Sequence, residues 1–135
     1  MKNLQKNKQK KEKIIKLVKI WQDRLGLVNW EISCRFQAIK YPKETEDYVG
    51  VAHVITNTEY KLATITFRPD KLALADDATI CHELLHCMLG ELVGYYKANI
   101  DDKAHDKVEQ WGSYYQEQLI SELERVIMRM YKMPS

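Results

Sequence analysis

The sequence has few cysteines, prolines and glycines, and it has no long apolar run. Its three cysteines, Cys34, Cys81 and Cys87, are odd in number and lack the spacing of a disulfide framework or a zinc ribbon. No stretch approaches the roughly 20 apolar residues of a membrane span, and the basic N-terminus lacks the apolar core of a secretory signal. These absences predict a cytoplasmic protein that does not enter the membrane.

Charge is distributed unevenly along the chain. Residues 1–20 contain eight lysines and one acid, Glu12, whereas the remaining residues contain 13 basic and 18 acidic side chains. A basic arm over residues 1–12, followed by a single domain over residues 13–135, can contact nucleic acid or an acidic partner. Because the arm has no arginine and no aromatic residue to stack on bases, we favour a solvated segment that aids solubility, with nucleic acid as the weaker prediction.

Apolar periodicity predicts an α+β domain with a small sheet. Gly26 is a plausible end for the first helix, and Asp76 or Asp77 can cap the helix that follows the third strand. The predicted elements are a helix over 11–25, strands over 30–39, 49–56 and 63–67, a helix over 77–96 and a long helix over 103–131. The last helix carries an apolar stripe of Val108, Trp111, Tyr115, Leu119, Leu123, Val126 and Met130, which we expect to be its buried face.

The pattern H-E-x-x-H occurs once, as His82-Glu83-Leu84-Leu85-His86, inside the predicted helix 77–96. Residues four apart lie one turn apart on the same helix face, so His82 and His86 can bind one metal ion. Glu83 lies about 100° away, at the edge of that face, where it can reach a water without itself coordinating. Cys81 and Cys87 point elsewhere, and we interpret them as small buried hydrophobic residues.

A zinc site of this type needs a third protein ligand and keeps the fourth position for water. The metzincin continuation would place Gly at position 89 and His at position 92, but the chain has Leu89 and Leu92. The third ligand is therefore expected on the last helix. The candidates are His105, Glu109, Glu117 and Glu122.

Several segments resemble small zincin-like metallopeptidases of bacteria and their phages. They are L-G-L-V-N-W-E-I (25–32), A-T-I-T-F (63–67), H-E-L-L-H-C-M-L-G-E-L (82–92) and Q-E-Q-L-I-S-E-L (116–123). The resemblance covers about residues 14–130 and implies a minimal gluzincin, with a final helix that carries a glutamate ligand. It implies that His82 and His86 bind zinc and that Glu83 is the general base. Glu117 becomes the preferred third ligand, with Glu109 as its rival.

The leading functional hypothesis is zinc-dependent hydrolysis of a protein or peptide substrate, in which Glu83 accepts the proton of a zinc-activated water. Candidate donors to the oxyanion are His53, Tyr95, Tyr114 and His105, and the strand Ala63–Phe67 could pair with an extended substrate. One alternative is a non-catalytic zinc-binding interaction module, because the chain is short for a walled cleft. Another is a SprT-like, nucleic-acid-associated protease, a weaker resemblance that favours His105 as the third ligand.

Overall fold

The structure, a computed structural model, describes residues 2–39, 50–99 and 102–134, and it describes the backbone alone for residues 91, 93–98 and 102–113. The elements are α1 (Lys2–Arg24), β1 (Glu31–Phe36), β2 (Ala52–Asn57), β3 (Leu62–Phe67), a short 3₁₀ helix (Pro69–Leu74), α2 (Asp77–Ala98) and α3 (Asp102–Met130). This order confirms the predicted α+β class. Among the described residues, no helix is both long and apolar enough to span a membrane.

Helix α1 is longer than its apolar spacing predicted. It begins at Lys2 instead of Lys11 and continues without a break through the predicted end of the basic arm. Lysine and glutamine are good helix formers, so these turns form without an apolar pattern to reveal them. The predicted end is confirmed: Gly26 has a φ of 70°, and the Leu27 amide donates to the Gln22 carbonyl at 2.9 Å.

Three strands of the described chain form one mixed sheet in the order β1-β3-β2. β1 pairs with β3 in parallel, with Phe36 opposite Phe67, and β2 pairs with β3 in antiparallel, with Ala52 opposite Phe67. The central strand is therefore β3, and both of its edges are already hydrogen-bonded. The prediction that Ala63–Phe67 could pair with a substrate is wrong, because strand addition needs an open edge.

The core lies between the sheet and the helices. Ala63, Ile65 and Phe67 alternate along β3 and are buried on one face of the sheet, and α2 contributes fully buried residues against that face. Cys81 and Cys87 are among these buried residues, which confirms their interpretation as small hydrophobic residues. Gly90 lies beside the side chains of Thr56 and Thr58, so α2 passes close to β2.

The start of α2 is fixed from two sides. Asp76 caps the helix through its Oδ1 atom, which accepts from the Thr79 amide at 3.0 Å and from the Thr79 hydroxyl at 3.0 Å. Asp77 Oδ1 accepts from the indole Nε1 of Trp21 at 2.8 Å, and Trp21 is itself fully buried. These contacts hold the start of α2 against α1, and so they help to fix the position of the two histidines that α2 carries.

The buried face of α3 differs from the predicted stripe. Of that stripe, Leu123 is partly buried, Val108 and Trp111 have side chains outside the described residues, and the others are exposed: Tyr115, Leu119, Val126 and Met130. Among the described side chains of α3, Ile120 and Met128 are fully buried. The sequence offers two apolar stripes, and the face that packs is the one that also carries Glu117 and Glu124.

Candidate metal centre

The two histidines of the motif lie side by side on α2. Their ring centroids are 5.3 Å apart, and their side chains keep 22% and 20% of their surface exposed, for His82 and His86 respectively. Burial of the flanking Ile80, Leu84 and Cys87 fixes the rotation of the helix, so both imidazoles lie at one partly open surface. The one-turn spacing of the sequence therefore produces the predicted pair.

Glu117 of α3 completes a three-residue cluster with the histidines. Its Oε1 atom lies 2.8 Å from His86 Nε2, and its Oε2 atom lies 3.2 Å from His82 Nε2. One ligand atom from each of the three residues falls within 4.8 Å of the others. Glu117 is the residue that the resemblance preferred as third ligand, and its carboxylate lies within reach of both imidazoles, in a group that could hold a metal ion.

The spacing of these atoms is close to that of zinc ligands. In a regular tetrahedron an edge is about 1.63 times the distance from centre to corner, so ligand atoms about 2.1 Å from zinc lie about 3.4 Å apart. The two Glu117–imidazole separations, 2.8 and 3.2 Å, are slightly shorter than this, and all three ligand atoms lie within 4.8 Å of one another. Two imidazoles and one carboxylate also form a donor set of catalytic zinc sites.

Of the other predicted third ligands, Glu122 has a described side chain, and it does not enter this cluster. Glu122 is exposed and lies five residues beyond Glu117, which turns it about 140° away around α3. The side chains of Glu109 and His105 lie outside the described residues. Among the described acidic, cysteine and histidine side chains, the cluster contains only His82, His86 and Glu117.

Glu124 is a site residue that sequence reasoning missed. Its Oε2 atom lies 3.0 Å from His82 Nδ1, and its side chain is 19% exposed. A carboxylate that accepts from Nδ1 fixes the imidazole tautomer and leaves the Nε2 lone pair for a metal. The signal was present in the sequence, because Glu124 follows Glu117 by seven residues and so shares its helix face.

Glu83 is a buried carboxyl group next to the histidines, with 9% of its surface exposed. Its pKa is raised to about 7, mainly by burial and also by the charges of Glu117 and Glu124, while His82 opposes the shift. A carboxyl group with this pKa can take up and release a proton near neutral pH, which is what a general base of hydrolysis must do. The burial of Glu83 is a feature that the five-residue pattern does not predict.

The environment of His86 favours its neutral form. Burial lowers the pKa of His86, and the nearby His82 and His53 lower it further, whereas Glu117 raises it. Neutral imidazole is the form that binds metal. The Cys81 thiol has a pKa raised to about 12, mainly by burial, so it stays protonated beside the cluster. The thiol contributes to packing and not to the metal-ligand set.

Two concave regions open on either side of the cluster. A cavity of about 190 Å³ reaches Glu83 and is lined by Gly50, Val51, Ala52, Thr79, His82, Glu83 and Glu124. A groove of about 390 Å³ reaches Glu117 and is lined by residues of α3: Tyr114, Glu117, Gln118, Ser121, Glu122 and Arg125. In the cavity of about 190 Å³, the start of β2 therefore lies next to Glu83, the candidate general base.

Two of the predicted oxyanion donors can be placed. Tyr114 lines the groove with Glu117, and its hydroxyl accepts from Gln118 Nε2 at 3.0 Å, which leaves the hydroxyl proton to donate elsewhere. His53 is exposed on β2 and is near enough to His86 to influence its charge state. The side chains of Tyr95 and His105 lie outside the described residues.

Comparison with protein-family models, with curated proteins and with solved structures found no match for this chain.

Proposed function

We propose that this chain is a zinc metallopeptidase of the zincin type, with His82, His86 and Glu117 as metal ligands and Glu83 as the general base. The observation that carries the proposal is the convergence of His82 Nε2, His86 Nε2 and the Glu117 carboxylate, at separations of 2.8 and 3.2 Å. The ligands come from two helices, so the cluster is a product of the tertiary fold and not of one local sequence pattern.

Each side chain has a distinct task in the proposed reaction. Zinc, when bound, would polarise the scissile carbonyl and acidify a water. Glu83 accepts the proton of the attacking water on its carboxylate and passes it to the leaving amine. Glu124 holds His82 through Nδ1, so that the ring presents Nε2 to the metal. Tyr114, in the groove beside Glu117, is our preferred donor to the oxyanion.

The edge of β2 is a suitable place for an extended substrate. β2 bonds to β3 on one side, and its first residues line the cavity that contains Glu83. A peptide paired with this edge would pass next to Glu83, and hydrogen bonds to the main chain of β2 would orient its carbonyl groups. This arrangement replaces the predicted pairing with β3, whose edges are both occupied.

A non-catalytic zinc-binding module would use the same three ligands. The observation that favours the peptidase is Glu83, because a purely structural site has no need for a buried carboxyl group with a pKa near 7 in a cavity beside the ligands.

The decisive experiment combines metal analysis with hydrolysis of a quenched-fluorescence peptide library. We expect about one zinc per chain, activity that is lost with a chelator and restored by zinc, and loss of activity in Glu83→Gln with zinc retained. Glu59→Gln, an exposed carboxylate on a turn, is the matched control and should keep full activity. Zinc binding without turnover of any peptide would instead favour the interaction module, and full activity of Glu83→Gln would refute the mechanism.

A further inference from the structure

The first half of α1 is a charged helix that contributes almost nothing to the core. Residues 2–13 contain six lysines and one acid, Glu12, and the first buried side chain of the helix is Ile14. Lys11 is partly buried, with its Nζ atom 5.5 Å from the centroid of the Phe36 ring. The other five lysines of this segment are exposed: Lys2, Lys6, Lys8, Lys10 and Lys13. We propose that this segment binds the phosphate backbone of double-stranded DNA, independently of the metal centre.

The lysines lie on more than one side of the helix. At 100° per residue, Lys2, Lys6 and Lys13 fall within about 40° of one another, whereas Lys8 lies about 140° from the middle of that row. A flat acidic protein surface would contact one row at a time. Phosphates flank both sides of a helix that lies in a DNA groove, so both sets of lysines can be neutralised there.

The dimensions of the segment agree with those of duplex DNA. Twelve helical residues extend about 18 Å, and a helix with side chains is about 10–12 Å across. The major groove is about 12 Å wide and admits a helix of this size. The absence of arginine and aromatic residues argues against base readout and against stacking on single strands, but it does not weaken lysine–phosphate contacts.

A lipid surface is a poorer match for the same residues. Membrane-surface helices combine a basic face with an apolar face that enters the headgroup region. Residues 2–13 contain one large apolar side chain, Leu4, which is 76% exposed. Phosphates can therefore neutralise the charges of the segment, but the segment has no apolar face to insert into a lipid surface.

The helix also gains stability from a polyanion. Its first turn contains no acidic residue, so nothing compensates the positive end of the helix dipole, and neighbouring lysines repel one another. Phosphates placed along the segment would reduce both penalties. We therefore expect DNA binding to slow amide hydrogen exchange in residues 2–13 and to leave exchange in α2 unchanged.

The test measures the fluorescence anisotropy of a labelled 20-bp duplex of mixed sequence with the full chain, in chelator, between 50 and 200 mM salt. Contacts to five phosphates predict a slope of log K against log salt of about −4.5. The variant Lys2→Gln/Lys6→Gln/Lys13→Gln should reduce the slope to about −1.8 and weaken binding at 50 mM salt by more than tenfold. Lys61→Gln/Lys71→Gln/Lys132→Gln removes the same charge from the body and should leave the slope unchanged.

Competitors at equal charge concentration identify the kind of polyanion. The proposal is supported if the unlabelled duplex competes better than the single strand, polyglutamate or vesicles with 30% phosphatidylserine. It is overturned if any of those three competes better than the duplex, or if the body variant weakens binding as much as the helix variant. Binding without protection of residues 2–13 from hydrogen exchange would also overturn it. Because chelator is present throughout, failure of the zinc site would not alter these results.

Discussion

The two faces of α3 differ in composition and in what they contact. The inward face carries Glu117, Ile120, Glu124 and Met128 and lies against α2 and the core. The outward face carries Tyr115, Leu119, Val126 and Met130, which are 45% to 72% exposed. The more uniformly apolar face is the one in solvent. We infer that the carboxylate–histidine contacts, together with two fully buried apolar side chains, determine the rotation of α3.

The largest expected difference between the faces concerns metal binding. Glu117→Gln should weaken zinc binding by more than about 1,000-fold, or about 4 kcal/mol, because it replaces one of three charged or imidazole ligands with a neutral amide. Glu122→Gln removes the same charge from the outward flank of the helix and should leave affinity unchanged. Competition with a chromophoric chelator measures both. Equal affinities for Glu117→Gln and the wild type would show that Glu117 is not a ligand.

Core packing should distinguish the faces almost as strongly. Ile120 is fully buried, so Ile120→Ala should lower the free energy of unfolding by about 2–5 kcal/mol through lost burial and a residual cavity. Leu119 is 45% exposed, and Leu119→Ala should cost less than about 1 kcal/mol. Urea denaturation of the chelated proteins provides the comparison. A larger loss for Leu119→Ala would mean that the outward face is buried in solution.

Particular residues show how much of this fold and site the sequence could predict. The one-turn spacing of His82 and His86, the cap at Asp76 and the stop at Gly26 are local signals, and the structure confirms them. Each depends on hydrogen bonds or angles within a few residues, which is why pattern alone is sufficient.

The features that sequence reasoning missed depend on distant contacts. We predicted that the strand Ala63–Phe67 could pair with a substrate. Its position between β1 and β2 depends on strand pairing between distant parts of the chain, which the local pattern does not reveal. The rotation of α3 was misjudged because two apolar stripes are compatible with its period. The seven-residue spacing puts Glu124 on the face of Glu117, but its contact with His82 follows from how α3 packs on α2. The early turns of α1 were missed because they have no apolar periodicity.

The pH dependence of the metal-free protein should report on the inward face. The pKa of Glu83 rises from its ordinary value of 4.5 to about 7 on folding, so between these pH values the folded chain binds more protons than the unfolded chain. The contribution of Glu83 to the free energy of unfolding is fully present below about pH 4.5. It is lost as the pH rises through about 7, which lowers the free energy of unfolding by about 3 kcal/mol.

Denaturation in chelator at several pH values tests this expectation. Glu83→Gln should remove this decrease, whereas the outward Glu122→Gln should retain it. His86, whose pKa is lowered on folding, contributes a slope of the opposite sign that stays in both variants, so the difference between the variants isolates Glu83. If the free energy of unfolding varied with pH in the same way in the wild type and in Glu83→Gln, burial of Glu83 would not be the cause of the decrease.

The smallest expected effect comes from Glu124, which supports a ligand without binding the metal. Glu124→Gln keeps the shape and one acceptor oxygen but removes the charge that His82 Nδ1 contacts at 3.0 Å. Loss of such a partner typically weakens metal affinity by about 10–100-fold, or about 1.4–2.7 kcal/mol. Glu124→Gln should therefore fall between Glu122→Gln and Glu117→Gln in zinc affinity. A zinc affinity of Glu124→Gln as low as that of Glu117→Gln would mean that Glu124 is itself a ligand. A zinc affinity equal to that of Glu122→Gln would mean that the tautomer of His82 is fixed by a group outside the inward face of α3.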